Sequence, residues 1–209
     1  MSNKYDIIII GAGLGGLLSA DVLSREGFSV CVIEQNRRLG GSIQSFAKDK
    51  TIFNTGLNYT ESLGEGEVLN QYFKYFKIMD KLKIRQLDID VFNKINFEND
   101  NIEYPFAQGH ENFIEKLSNY FPHEKNNLKK YMNTIGEVCN SFPLYTLDIL
   151  SNGKSNTNLQ QSAFKYLQSV TPNHKLQQIL AGMNPLHGGV VEKTPLYVHS
   201  LINYSFIKS

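Results

Sequence analysis

The sequence contains little cysteine, no excess of charge and no long apolar run, and each absence excludes a class of protein. Its 209 residues include two cysteines, Cys31 and Cys139, so at most one disulfide can form, which is typical of a reduced, cytoplasmic protein. Lysine and arginine number 21 against 20 acidic residues, and this balance gives no global attraction to nucleic acid or an anionic membrane. No apolar run reaches the roughly 18–20 residues of a membrane-spanning helix. A hydrophobic content of 41% predicts a globular chain with a sizeable core.

The most apolar stretch, IIIIGAGLGGLLSA at residues 7–20, has the outline of a signal-peptide core because it follows Lys4. Asp6 adjoins the stretch, however, and glycine occupies four of its fourteen positions. Glycines at this density favour a turn between two elements over a targeting segment.

The start of the chain predicts a βαβ unit. The β-branched run at residues 5–10 is typical of a strand buried on both faces of a parallel sheet. Residues 14–26 carry leucines at helical spacing, and Gly27 follows at the position of a C-terminal helix cap. Residues 29–33 form a second apolar strand that ends at Glu34. Such a unit has a right-handed crossover and belongs to α/β folds.

The turn of this unit, Gly11-Ala12-Gly13-Leu14-Gly15-Gly16, fits a dinucleotide-binding fingerprint; we call these six residues the glycine turn. Gly11 permits the tight turn, Gly13 lets the backbone approach a pyrophosphate, and Gly16 lets the helix pack closely on the strand. The phosphates then face free amides at a helix N-terminus, where the helix dipole favours negative charge.

Glu34 stands 18 residues after Gly16, at the spacing where an acid accepts a ribose hydroxyl. An acid there repels a 2′-phosphate, so NADP is disfavoured. These residues do not distinguish a site for NAD from a site for FAD.

Residues 34–46, EQNRRLGGSIQSF, resemble the second flavin motif of the amine-oxidase and phytoene-desaturase superfamily, in which basic residues and a Gly-Gly doublet follow an acid. Three further stretches narrow the resemblance to the phytoene desaturase/retinol saturase-like FAD-dependent oxidoreductases, along most of the chain. These are Asn54-Thr55-Gly56-Leu57-Asn58-Tyr59, Gly64-Glu65-Gly66 and Thr194-Pro195-Leu196-Tyr197-Val198-His199.

The resemblance implies an FAD site in which the glycine turn holds the pyrophosphate and Glu34 the adenine ribose. A loop around Gly40-Gly41 would run beneath the phosphates and ribityl chain, and Gly56 would pass close to the isoalloxazine. Ser42 stands where many relatives carry arginine, and Asn54 and Asn58 replace an expected Asp and His. The implied cofactor-binding residues are Gly11, Gly13, Leu14, Gly15, Gly16, Glu34, Arg38, Gly40, Gly41, Ser42 and Gly56. The resemblance identifies no catalytic residue.

The rest of the chain predicts short strands and amphipathic helices. Predicted strands cover residues 83–87, 91–97 and 102–106, and predicted helices cover 67–77, 109–120, 128–142, 158–170, 175–183 and the residues from Thr194-Pro195 to 206, with a polar loop at 151–158. We expect an α/β chain: a Rossmann-like FAD-binding βαβ unit in residues 1–62, then an α+β substrate or cap region in residues 63–209. Only two parallel strands can be placed, so we expect the fold to be incomplete at its C-terminus.

The resemblance implies an FAD-dependent oxidoreductase that transfers hydride through the flavin and acts on carbon–carbon bonds of a small apolar, polyene-like substrate. Because family members are longer, we expect these 209 residues alone to bind FAD weakly and to be inactive. Two alternatives stay open: a truncated, non-catalytic dinucleotide-binding remnant, and an NAD-only reductase. The five histidines show no metal-ligand spacing, so we expect no metal site. Peripheral membrane contact and self-association through incompletely covered faces also stay open, whereas no nucleic-acid partner is expected.

Overall fold

The structure, a computed structural model, describes residues 4–57, 59–148 and 161–208. Asn58, the predicted loop at 151–158 and the predicted start of a helix at 158–160 lie outside the described residues. The chain forms two compact units. The first unit comprises Met1–Thr60 and Tyr72–Lys81, and the second comprises Glu61–Gln71 and Leu82–Ser209. The assignment of residues 1–62 to cofactor binding and 63–209 to substrate binding stays a prediction.

The predicted βαβ unit is present. Strand β1 (Ile7–Ile10) and strand β2 (Val30–Ile33) are parallel and are connected by helix α1 (Leu14–Arg25), with Ile7 opposite Val30. Gly27 has φ +92° and ends the helix in a Schellman motif, in which its own N–H bonds Ser24 O and the N–H of Phe28 bonds Leu23 O. The fold class is therefore Rossmann-like α/β in this part of the chain.

The prediction that β1 is buried on both faces is wrong. Ile9 lies on the side of α1, whereas Ile8 and Ile10 on the opposite face are 60% and 87% exposed. The reason is that a strand is buried on both faces only when elements cover both sides of its sheet. In the described part of the first unit this sheet has two strands.

A hairpin that the sequence did not predict follows in the first unit. Strands β3 (Ser45–Lys48) and β4 (Thr51–Asn54) pair antiparallel, and Phe46 stacks on Phe53 across the ladder with 5.2 Å between ring centroids. Asp49 and Lys50 form the two-residue turn with φ +50° and +63°. Such turns usually contain Asn-Gly or Asp-Gly, so Asp49-Lys50 carries no recognisable hairpin signal.

Helix α2 (Val68–Tyr75) follows, and then the second unit begins its own sheet. Strands β5 (Asn93–Phe97) and β6 (Asp100–Phe106) form an antiparallel hairpin, close to the two predicted strands. The predicted strand at 83–87 is wrong: these residues form no strand and are exposed throughout. An isolated segment without a partner strand leaves its backbone groups to form hydrogen bonds with water.

The helices of the second unit enclose the core of the molecule, and their bounds are close to those predicted from the pattern. Helix α4 (Lys125–Asn140) packs along α8 (Leu196–Lys208). It also contacts α3 (His110–Ser118) and α6 (Ala163–Val170). Fully buried side chains of this core include Phe106, Phe113, Leu117, Leu128, Tyr131, Ile135, Leu176 and Ile179. The helices are α3 (His110–Ser118), α4 (Lys125–Asn140), α5 (Pro143–Thr146), α6 (Ala163–Val170), α7 (His174–Leu180) and α8 (Leu196–Lys208).

Within the residues that the structure describes, no helix combines the length and apolar character needed to cross a bilayer.

Candidate functional site

The glycine turn is shaped by Gly11 and Gly16. Gly11 has φ +99°, a conformation that side-chain-bearing residues rarely adopt, and its N–H bonds Ile33 O at 2.7 Å. A Cβ on Gly16 would lie 2.1 Å from Gly11 O, so only glycine permits this approach of α1 to the turn. Both geometric expectations, the tight turn and the close helix packing, are therefore confirmed.

The outer side of the glycine turn is open. A Cβ built on Gly11 or Gly15 would meet no heavy atom of the described chain within 4 Å. Gly13 is the N-cap residue of α1 and offers no side-chain cap, and the first turn of the helix contains no acidic residue. Leu14, the first helical residue, is 49% exposed. Backbone amides at a helix N-terminus without an internal anion are suited to bind phosphate.

Glu34 comes directly after β2, half-buried beside the turn. Its Oε2 accepts the N–H of Ala12 at 2.8 Å, and its Oε1 accepts the backbone N–H and the side-chain amide of Asn36 at 2.8 and 3.0 Å. The Ala12 hydrogen bond, followed by that from the Asn36 backbone, lowers the pKa of Glu34 below its ordinary value. The side chain is therefore an anion at neutral pH. The spacing argument identified Glu34, but it did not predict the contacts with Ala12 and Asn36, for which the sequence gives no signal.

The Gly-Gly doublet lies directly against the glycine turn. The N–H of Gly40 bonds Ala12 O at 2.7 Å, and Gly40 forms a parallel bridge with Gly13. A Cβ on Gly41 would lie 3.1 Å from Gly13 Cα. Gly40 and Gly41 both have positive φ, at +110° and +56°. Glycines from the two motifs thus form one continuous backbone surface.

The remaining predicted residues lie on either side of the doublet and just after the hairpin that follows it. Arg38 is exposed and donates from Nη1 to Ser45 O at 2.7 Å, which holds the loop to the start of β3. Ser42 is exposed, and its carbonyl accepts the hydroxyl of Thr55 at 2.8 Å. A Cβ on Gly56 would lie 2.5 Å from Ser42 O. Gly56 is therefore required for backbone packing in its own hairpin, and its predicted place near a flavin ring stays a prediction.

A second polar cluster is buried in the second unit. His199 of α8 is fully buried, with Nε2 3.0 Å from the Tyr131 hydroxyl and Nδ1 3.3 Å from the Asn203 amide nitrogen. Burial lowers the pKa of His199 to about 4, so its imidazole is neutral at pH 7. Burial also raises the pKa of Tyr131 well above its ordinary value. Tyr131, His199 and Asn203 are all fully buried.

Two cavities of roughly 250 and 230 Å³ open on the second unit. Glu67, Tyr145 and Lys208 are among the residues that line the first, and His187, Lys193 and Thr194 are among those that line the second. In the described residues, no group of three or more His, Cys, Asp or Glu side chains is placed to hold a metal ion.

Comparisons with known proteins agree with the glycine-turn geometry. Residues 9–76 match the family described as NAD(P)-binding Rossmann-like domain. The chain is 27% identical to all-trans-retinol 13,14-reductase of Macaca fascicularis over 98% of its length, and 30% identical to prolycopene isomerase 2, chloroplastic, of an Oncidium hybrid cultivar over 67%. The solved structure of putrescine oxidase bound to putrescine superposes with a TM-score of 0.63 over 97% of the chain, at 15% identity, which shows a shared fold.

The chain spans between about a quarter and about a third of the length of these curated relatives, 36% of the reductase and 24% of the isomerase, and 42% of the putrescine oxidase chain. The geometry of the glycine turn and these similarities support a dinucleotide cofactor. They also agree with the resemblance that the motifs carried, because the chain is similar to a retinol reductase and a prolycopene isomerase and shares its fold with putrescine oxidase.

Proposed function

We propose that this chain binds FAD and belongs to an oxidoreductase that acts on carbon–carbon bonds of an apolar, polyene-like substrate. The observation that carries the proposal is that the glycine turn contacts both the side chain of Glu34 and the backbone of the Gly-Gly doublet. Its support from relatives is the similarity to a retinol reductase and a prolycopene isomerase, whose names both denote polyene substrates.

The residues of the first unit fit the diphosphate and adenine ends of such a cofactor. The open side of the turn at Gly11 and Gly15 leaves room for a pyrophosphate against the amides of α1. Glu34 would face the adenine ribose. Arg38, Gly40, Gly41 and Ser42 would follow the phosphates and ribityl chain, and Gly56 would lie toward the ring.

FAD is favoured over NADP on electrostatic grounds. The pKa of Glu34 is lowered, so its carboxylate stays charged and repels a 2′-phosphate. The run of basic residues and glycines after Glu34 favours FAD over NAD because it resembles the second flavin motif of the amine-oxidase and phytoene-desaturase superfamily.

Bound FAD would supply the hydride chemistry, and the protein would bind it, orient the substrate and exclude water. This class of reaction requires no protein acid or nucleophile. In agreement, no catalytic residue was identified from the sequence. Apolar side chains of the second unit would surround the substrate.

The alternatives make different predictions about ligands. An NAD-only reductase binds NAD and no flavin. A non-catalytic dinucleotide-binding remnant keeps the site for the ADP portion that FAD and NAD share but gains no affinity from the flavin ring. The exposed isoleucines of β1 favour the remnant as the second candidate, because they leave the first unit with little buried apolar surface.

Calorimetric titration with FAD, ADP and NAD separates these functions. We expect ADP to bind, because its diphosphate and ribose need only the turn and Glu34, and we expect FAD to bind these 209 residues weakly. Gly13→Val should abolish both, since a branched side chain would fill the space of 4.0 Å toward Gly41 Cα and the approach to the turn. Lys129→Ala, at an exposed position of α4, is the matched control and should bind normally.

Glu34→Gln tests the same site without adding bulk and should weaken ADP binding by about 1–3 kcal/mol, the scale of a hydrogen bond to a charged group. Far-ultraviolet circular dichroism checks that each variant folds. Binding of NAD without FAD would establish the reductase alternative, and absence of ADP binding in the wild-type protein would contradict the cofactor proposal.

A further inference from the structure

Ala12, in the middle of the glycine turn, is the most enclosed residue of the first unit. It is 1% exposed. Among the described residues of the first unit, Met1–Thr60 and Tyr72–Lys81, no other residue is buried. A methyl side chain contributes little apolar area. The enclosure therefore concerns the backbone of the turn, which must keep one shape to present its amides to a ligand.

The backbone of Ala12 is bound on both sides. Its N–H donates to Glu34 Oε2 at 2.8 Å, and its carbonyl accepts the N–H of Gly40 at 2.7 Å. The acceptor of the N–H is a charged carboxylate, which forms a stronger hydrogen bond than a neutral oxygen. Both contacts come from residues more than 20 positions away in sequence, so they connect the turn to the end of β2 and to the doublet.

We propose that Glu34 is a positioning residue that holds the glycine turn in its binding shape before any ligand arrives, in addition to any contact with a ribose. The inference rests on the proposed function only where it concerns ligand binding. Its structural part, the restraint of Ala12, concerns the ligand-free protein.

The hydrogen bonds of Glu34 also limit what it offers a ligand. A carboxylate has about four acceptor positions, and donors from Ala12 and Asn36 occupy three of them. The backbone of Gln35 adds a further hydrogen bond to the carboxylate. A ribose hydroxyl would therefore meet a carboxylate whose acceptor positions are largely taken by the protein's own donors.

Hydrogen exchange of the Ala12 amide in the ligand-free protein tests the restraint directly. Glu34→Ala should speed this exchange by about tenfold or more, because a hydrogen bond to a charged group is lost. Glu34→Gln keeps a neutral acceptor and should give an intermediate rate. An Ala12 amide that exchanges within about twofold of the wild-type rate in Glu34→Ala would overturn the proposal.

Asp6→Ala is the matched control, because Asp6 makes the equivalent bond at the other end of the same two strands. Its Oδ2 accepts the N–H of Ser29 at 2.8 Å. This variant should speed exchange at Ser29 and leave Ala12 unchanged. If Asp6→Ala speeds exchange at Ala12 as much as Glu34→Ala does, the effect is general loosening of the unit and the specific role of Glu34 is wrong.

Two nucleotides then separate positioning from ribose recognition: ADP and 2′,3′-dideoxyadenosine diphosphate, which lacks both ribose hydroxyls. If Glu34 positions the turn, Glu34→Ala weakens binding of both nucleotides, the dideoxy nucleotide by about tenfold and ADP by at least as much. A loss confined to ADP would overturn the positioning role in binding. If the wild-type protein binds neither nucleotide, the proposed function fails, whereas the exchange of Ala12 still decides whether Glu34 restrains the turn.

Discussion

The two units of this chain are stabilised by different interactions within each unit. In the second unit, large side chains such as Phe106, Phe113 and Leu176 are fully buried between helices and the β5–β6 hairpin. In the first unit the backbone is ordered by close glycine contacts and by hydrogen bonds between segments, while Ile8 and Ile10 are exposed. Apolar burial is the dominant stabilising contribution in folding, so the second unit should carry most of the stability.

The difference has a functional meaning. A surface built from backbone amides and glycines can approach a phosphate more closely than one built from side chains. The same construction gives little intrinsic stability, and a ligand that binds only the folded form stabilises it by mass action.

Truncation of a buried side chain should have the largest effect. Leu176→Ala removes a fully buried side chain of the second unit and should lower the free energy of unfolding by about 2–5 kcal/mol. Ile10→Ala, at a position 87% exposed in the first unit, should change it by less than about 0.5 kcal/mol. Urea unfolding followed by circular dichroism measures both. Equal losses would show that the first unit depends on side-chain packing after all.

Adding one methyl group to the glycine turn tests the backbone contacts. Gly16→Ala should destabilise the first unit by about 1–3 kcal/mol, because the new Cβ would lie 2.1 Å from a backbone oxygen and the backbone must move. Gly15→Ala, one residue earlier in α1 and facing open space, should instead stabilise the helix by up to about 1 kcal/mol. Hydrogen exchange along β1 and α1 measures both. A Gly16→Ala protein with unchanged exchange would contradict the close packing.

The buried histidine predicts an acid-sensitive second unit. The folded-state pKa of His199 is lowered to about 4 from 6.5, so below pH 6.5 the unfolded chain binds a proton that the folded chain does not. The stabilisation is complete above pH 6.5 and is lost as the pH falls toward 4, on the order of 2 kcal/mol between pH 7.5 and 5.

His199→Gln should flatten this part of the pH dependence, and His123→Gln, at an exposed position, should leave it unchanged. Urea unfolding at a series of pH values gives the slope. If the slope survives in His199→Gln, other groups are responsible for it.

The two cysteines report on the same contrast with the smallest effect. Cys139 is fully buried in α4, and burial raises the pKa of its thiol to about 12, so it lacks thiolate and access. Cys31 in β2 is half-buried in the first unit. We expect Cys31 to react with a thiol reagent at least about tenfold faster than Cys139. Mass spectrometry of the labelled protein, with urea-unfolded protein as the reference, measures the ratio; faster labelling of Cys139 would contradict the packing of α4.

Local patterns predicted much of this structure. The glycine turn, the helix after it and the Schellman cap at Gly27 follow from short-range preferences, and each is present. The hairpin at β3 and β4 was missed because Asp49-Lys50 lacks the glycine that marks such turns. A strand was wrongly predicted at 83–87 because a local sequence pattern does not supply a partner strand.

For the candidate site, spacing identified Glu34 and the glycines but not their contacts. The contact between Gly40 and Ala12 joins residues 28 positions apart, and no local preference encodes it. No local preference encodes the requirement for glycine at position 56 either, because a side chain there would collide with Ser42 O.

The βαβ unit, the position of its turn and the residue types that can face a phosphate were predictable from the amino-acid sequence, because they depend on the conformational preferences of adjacent residues. The covered faces of each element and the groups that bind Ala12 became known from the tertiary structure. Burial and long-range hydrogen bonds depend on where distant segments meet, and that is set by the packing of the whole chain. In this protein it made Glu34, a residue expected to bind ribose, also the partner of the turn's own backbone.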